Sequence, residues 1–195
     1  MYRRWALRLG AFWAIPALAA CGGDDESGEP TPGEPTPGGP VSLTGAVQKG
    51  PFVLGSDVEV GLLDQHGFPT GEVFHATTRS DLGEFQLRMA KSGKAEVMTN
   101  GFYFNEVLGR RSGAPITLRA LGNLSAGGDQ SVYVNALTHM AYQRALTLLD
   151  AGADFDASVA QAEAELRAVT GLAEPTGIGG GTTLNLLGDD TADNA

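Results

Sequence analysis

Three histidines, one cysteine and a run of alternating carboxylates are the residues of this 195-residue chain whose types first invite chemistry. His66 and His75 stand nine positions apart, but a zinc site needs further nitrogen or sulfur ligands, and no third ligand follows at an obvious spacing. His139 lies far along the chain, in a helical pattern, and is expected to be a satisfied or partly exposed histidine. Cys21 is the single cysteine, which excludes an intramolecular disulfide and every multi-cysteine metal centre. Asp189, Thr191 and Asp193 have the alternate spacing of the first ligands of a calcium loop. The sixth position, however, is Asn194 rather than Gly, and no bidentate Glu follows; helix capping accounts for the same carboxylates. Gly177–Gly181 has no following Lys with which to cradle a phosphate, and no nucleophile-elbow or zinc-protease motif occurs. Phe102-Tyr103-Phe104 must turn one face of a strand outward. Tyr103 is then either a stacking platform for a sugar or part of the core, and packing is the favoured account. No metal, no cofactor and no enzymatic activity are expected.

The elements that hold these residues begin with an address. Arg3, Arg4 and Arg8 are the only charges before Cys21, and Leu9–Ala20 is apolar except for Gly10 and Pro16. A basic stretch followed by a short apolar core is the pattern of a secretory signal, and twelve residues are too few for a hydrocarbon layer that needs about 20. Leu18-Ala19-Ala20-Cys21, directly after that core, resembles the lipobox of bacterial lipoproteins. The resemblance implies cleavage between Ala20 and Cys21 and acylation of Cys21. It makes Cys21 an anchor in the membrane rather than a nucleophile. Gly22, not Asp, follows, which by the sorting habit of such proteins points to the outer membrane.

Residues 22–40 contain six Gly, five Pro and two copies of Glu-Pro-Thr-Pro-Gly, with no large apolar residue. Such a segment cannot form a core. At about 3.1 Å per residue it reaches some 60 Å when extended, so residues 21–40 read as a lipidated cysteine with an acidic tether.

From 41 to 121 the pattern alternates with period two between turn signals. Val41, Leu43 and Val47 mark a first strand, and Val58, Val60 and Leu62 a second. A turn at Asp64–Gly67 and a loop holding Pro69 and Gly71 lead to a strand with Phe74. Ser80–Gly83 turns into Phe85, Leu87 and Met89, and Lys91–Gly93 into Val97, Phe102 and Phe104; Ile116, Leu118 and Ala120 close the series. About seven short strands predict a mainly β fold, an antiparallel sandwich followed by an α extension. Leu43-Thr-Gly-Ala-Val47, Ser56–Val60 and Asp81-Leu-Gly-Glu-Phe85 resemble the carboxypeptidase regulatory-like and prealbumin-like modules, over roughly residues 42–90. Val47–Val53 and Gly101–Val107 are similar to stretches of a group of uncharacterised bacterial envelope lipoproteins, a likeness that implies no activity. Related surface modules sometimes carry a Lys–Asn isopeptide bond beside a buried acid. Lys49 and Glu84 are the nearest counterparts, but Lys49 precedes Gly50-Pro51 and reads as a turn lysine.

Residues 122–195 are expected to be a helical extension, truncated at its C-terminal end. Asn135 is a plausible N-cap for a helix with Leu137, Met140, Ala141, Ala145 and Leu148 on one face, ended by Gly152. Asp156 is the expected cap of a second helix, with Val159, Ala162, Leu166 and Val169 on its face and Gly171 after it.

The formal net charge is −10, which argues against nucleic acid as a partner. The acidity is local. The tether has five acids and no bases, residues 41–120 have eight of each, and residues 121–195 have ten acids against two bases. The expectation is therefore a lipid-anchored protein of the cell envelope, with a non-enzymatic structural or adhesive role toward an envelope protein or a polysaccharide. The alternative class is an envelope enzyme or accessory subunit with an unrecognised site.

Overall fold

The computed structural model describes residues 39–171. The strands are β1 (Val41–Gln48), β2 (Asp57–Leu63), β3 (Pro69–Thr77), β4 (Glu84–Met89), β5 (Gly93–Gly101), β6 (Phe104–Asn105), β7 (Arg110–Arg111), β8 (Ile116–Leu124) and β9 (Asp129–Asn135). Two helices follow, α1 (Ala136–Asp150) and α2 (Phe155–Thr170). One sheet has the order β4-β1-β9 and the other β3-β2-β5-β8, while β6 and β7 form a small separate ribbon.

The two larger sheets face each other across one apolar core, because alternate residues of each strand point inward. Leu43, Val47, Phe85, Val132 and Val134 come from the three-stranded sheet. They meet Val58, Val60, Val97, Leu118 and Ala120 from the four-stranded one. Gly45 has its place in this core. A Cβ there would lie 1.8 Å from the Val132 carbonyl oxygen and 2.7 Å from the Phe85 ring, so Phe85 fills the space a side chain would need. Gly83 takes φ 75° in the turn before β4, which its lack of a Cβ permits. The β-sandwich with a helical extension is therefore the observed architecture.

Three expectations about its details need correction. The strands do not end near residue 121: β8 runs to Leu124, and β9 takes Asp129–Asn135 out of the stretch expected to be helical. β9 pairs with β1 in parallel, from Ser42 opposite Asp129 to Gln48 opposite Asn135, so the sandwich is not wholly antiparallel. Pro69 and Gly71 belong to β3 rather than to a loop. Proline is tolerated as the first residue of an edge strand, where no ladder donor is required.

The helices build a second, smaller core. Ala141, Tyr142, Ala145 and Leu149 of α1 meet Phe155 and Ala162 of α2 over Leu63 and Leu121 of the four-stranded sheet. Leu121 points to the outer face of β8 and is buried there, so at that position the strand is covered on both sides. Asn135 caps α1 as expected: its side chain accepts from the backbone N–H groups of Leu137 and Thr138, and Thr138 returns a bond in a capping box. The cap of α2 is Asp154, not Asp156: its Oδ1 accepts from the backbone N–H groups of Asp156 at 2.9 Å and Ala157 at 3.2 Å. Gly171 closes α2 with φ 74°. Met140 and Val169, expected on buried faces, are 51% and 86% exposed; Thr138, Tyr142 and Phe155 take up the packing instead.

Candidate functional site

Cys21 with its cleavage partner Ala20, and the carboxylates Asp189 and Asp193, lie outside the described residues. His66 sits exposed in the β2–β3 turn, its backbone N–H donating to Asp64 Oδ1 at 2.8 Å. His75 is exposed on β3, where its Nδ1 lies 3.8 Å from Glu59 Oε2 on the neighbouring strand. His139 is half-buried on α1, with a solvent-shielded Nδ1 that has no hydrogen-bond partner among the described residues. Among the described residues no group of three or more His, Cys, Asp and Glu is placed to hold a metal. Lys49 is exposed in the turn after β1, and Glu84 is an exposed residue whose Oε2 accepts from Ser80 Oγ at 2.8 Å.

Tyr103 is packed rather than displayed. Its ring lies 6.4 Å from that of the fully buried Phe52, at an interplanar angle of 30°. Lys49 Nζ lies 6.0 Å from the centre of the Tyr103 ring. Phe102 carries the Arg111 guanidinium at 4.6 Å, and Phe104 is the exposed ring of the three. Backbone bonding decides this arrangement. Val53 donates to Phe102 and Phe104 donates to Pro51, which fixes the segment against the β1–β2 connection with Tyr103 facing inward.

Among the described residues, concave surfaces are formed on the outer faces of both larger sheets. The first runs over β1, whose outward residues Thr44 and Ala46 are short while those of its neighbours are long. Ala46 is opposite Glu84 of β4 on one side and Tyr133 of β9 on the other. The result is a trough of about 540 Å³, walled by Arg79, Glu84 and Gln86 on one flank and Tyr133 on the other. Gln48, 2% exposed, also lines it. Its polar groups are set by near neighbours: Arg79 donates to Gln86 Oε1 at 2.7 Å, and Thr44 Oγ1 donates to the Gln130 carbonyl at 3.3 Å. The aromatic ring that lines this trough lies not in the triplet at 102–104 but at Tyr133, which the alternation of its strand marks. Tyr133 alternates with the buried Val132 and Val134, which turns its ring outward.

The second surface lies on the four-stranded sheet, where His75, Glu59, Met98 and Arg119 stand side by side across β3, β2, β5 and β8. Two adjoining hollows of about 580 Å³ and 270 Å³ share Glu59 and Met98. Gly61 lines the smaller hollow, where an added Cβ would meet nothing within 4 Å. The Arg119 guanidinium pairs with Glu96 and lies 5.6 Å from the Tyr142 ring. Burial pushes the Tyr142 hydroxyl up to about 12, and the Glu96 carboxylate adds to the effect. This cluster joins helix to sheet: its one cation already has a carboxylate, and its phenol is held neutral.

Comparison with protein-family models, with curated proteins and with solved structures finds no match to this chain.

Proposed function

We propose that this chain is a lipid-anchored protein of the bacterial cell envelope, whose sandwich has a non-enzymatic, binding or adhesive role at the end of a flexible tether. The observation that carries the reading is the order of segments: a basic and apolar leader, Leu18-Ala19-Ala20-Cys21, then nineteen Pro- and Gly-rich residues. The first strand of the described residues begins at Val41, immediately after the last proline of that spacer. Several acyl chains on Cys21 hold a protein stably, since each buried methylene contributes about 0.8 kcal/mol and one chain alone is marginal. The spacer carries five carboxylates and no base, a composition whose self-repulsion favours an extended chain. Gly22 favours the outer membrane as the destination. A binding role is supported by the concave sheet faces among the described residues, of which the one over β1 presents Arg79, Glu84, Gln86 and Tyr133. Expression in a bacterial host with radiolabelled palmitate tests the anchor. Label on the membrane-fraction protein, lost in Cys21→Ser together with membrane retention, is the expected result; an unlabelled protein in the soluble fraction would overturn it.

A further inference from the structure

We propose that the trough over β1 binds an uncharged polysaccharide chain, with Tyr133 as its stacking surface. This deepens the reading of the sandwich as a binding module and rests on it. β1 is the central strand of its sheet, and its backbone groups are taken up by β4 on one side and β9 on the other. An extended peptide therefore cannot add to it by strand pairing, the usual source of affinity for such ligands. Whatever lies in the trough is read by side chains alone. Those that reach its surface include the Tyr133 phenol ring, the planar amide of Gln86, the Arg79 guanidinium, the Glu84 carboxylate and the Thr44 hydroxyl, beside the apolar Leu82. Flat groups with paired donors and acceptors suit the adjacent hydroxyls of a sugar ring, and an aromatic face suits its C–H side.

The flanks stand two strand spacings apart, roughly 9–10 Å, which gives an elongated furrow rather than a closed pocket. A polymer lying along β1 fits that shape. Arg79 and Glu84, the trough's cation and anion, offset each other, so an anionic chain gains nothing there. The lining is also set in advance. Gln48 is almost wholly buried, Glu84 is held by Ser80, and Gln86 by Arg79, which limits the entropy lost when a ligand binds.

The test uses the full-length chain purified in detergent and native affinity gels containing dextran, galactomannan or the N-acetylglucosamine hexamer, followed by titration calorimetry. At least one of these saccharides is expected to bind. Tyr133→Ala should weaken binding about tenfold or more, while Tyr133→Phe, which keeps the ring, should stay within about threefold. Gln86→Ala alters an exposed side chain outside the core and should weaken binding about three- to tenfold; it serves if Tyr133→Ala unfolds. Val169→Ala, on the exposed face of α2, should bind as the unaltered chain does. Absence of binding to all three saccharides, or equal affinity in the folded Tyr133 and Gln86 variants, would overturn the proposal. Saccharide binding is read on purified protein and lipidation on the membrane fraction, so either result stands when the other fails.

Discussion

Replacing Asn135 with alanine is expected to cost about 2–4 kcal/mol of stability, far more than an exposed helix cap. Asn135 ends β9 and caps α1 at the same time, with extended backbone angles of φ −142° and ψ −176°. Its Oδ1 accepts from the N–H of Leu137 at 2.9 Å and of Thr138 at 3.0 Å. Its own N–H donates to Thr138 Oγ1 at 2.9 Å. An ordinary cap contributes about 1 kcal/mol, because water replaces the lost acceptor. Here Asn135 is fully buried and Thr138 is 3% exposed, so water does not readily reach the freed donor. A buried donor left unsatisfied adds about 1–3 kcal/mol. With a urea slope of about 2 kcal/mol per molar, mid-range for a small domain, the midpoint should fall by about 1–2 M at unchanged slope. Circular dichroism during urea unfolding reads it directly. Asn135→Ser, which keeps a shorter acceptor, should recover part of the loss. A change below about 0.5 kcal/mol in Asn135→Ala would refute the reasoning, since it would mean that the junction is open to solvent.

Other outcomes follow from the same geometry. Gly45→Ala should destabilise by about 3 kcal/mol or more, at the upper end of overpacking costs, since its Cβ would collide with the Val132 backbone as well as with the Phe85 ring; thermal unfolding would show it. Tyr142, raised from 10.0 to about 12, contributes stability that is fully present below pH 10 and is lost as pH rises toward 12. Ultraviolet titration should find one tyrosine ionising late, and earlier in Glu96→Gln. Glu165 receives bonds from Arg144 and Gln161 that hold its carboxyl down at about 2. Its contribution is present above pH 4.5 and fades as pH falls toward 2; carbon-13 NMR should show its midpoint returning toward 4.5 in Arg144→Ala.

The parts of the fold legible in the sequence are those fixed by neighbours along the chain. Gly83 with Phe85, the cap at Asn135 and the stop at Gly171 depend on local backbone geometry, and the structure has each where its residue type predicts. β9 was harder to see, although Val132, Tyr133 and Val134 alternate, because the segment is short and follows two glycines. Its decisive support is pairing with β1, nearly ninety positions earlier, which no local pattern reports. The buried faces of the helices depart from the apolar stripe for a related reason. Thr138 and Tyr142 carry polar tips and do not score as apolar, yet they pack under α1, while the apolar Met140 and Val169 face out. The trough was illegible for the strongest reason: its lining comes from β1, the turn before β4, β4 itself and β9, and only the sheet order β4-β1-β9 brings them together.

Intact-mass spectrometry of the membrane-fraction protein tests the central claim most directly. A chain that begins at Cys21, lacks residues 1–20 and carries the added mass of acyl chains on that residue is the predicted result. An unacylated chain, or one that retains residues 1–20 and remains in the soluble fraction, would contradict it.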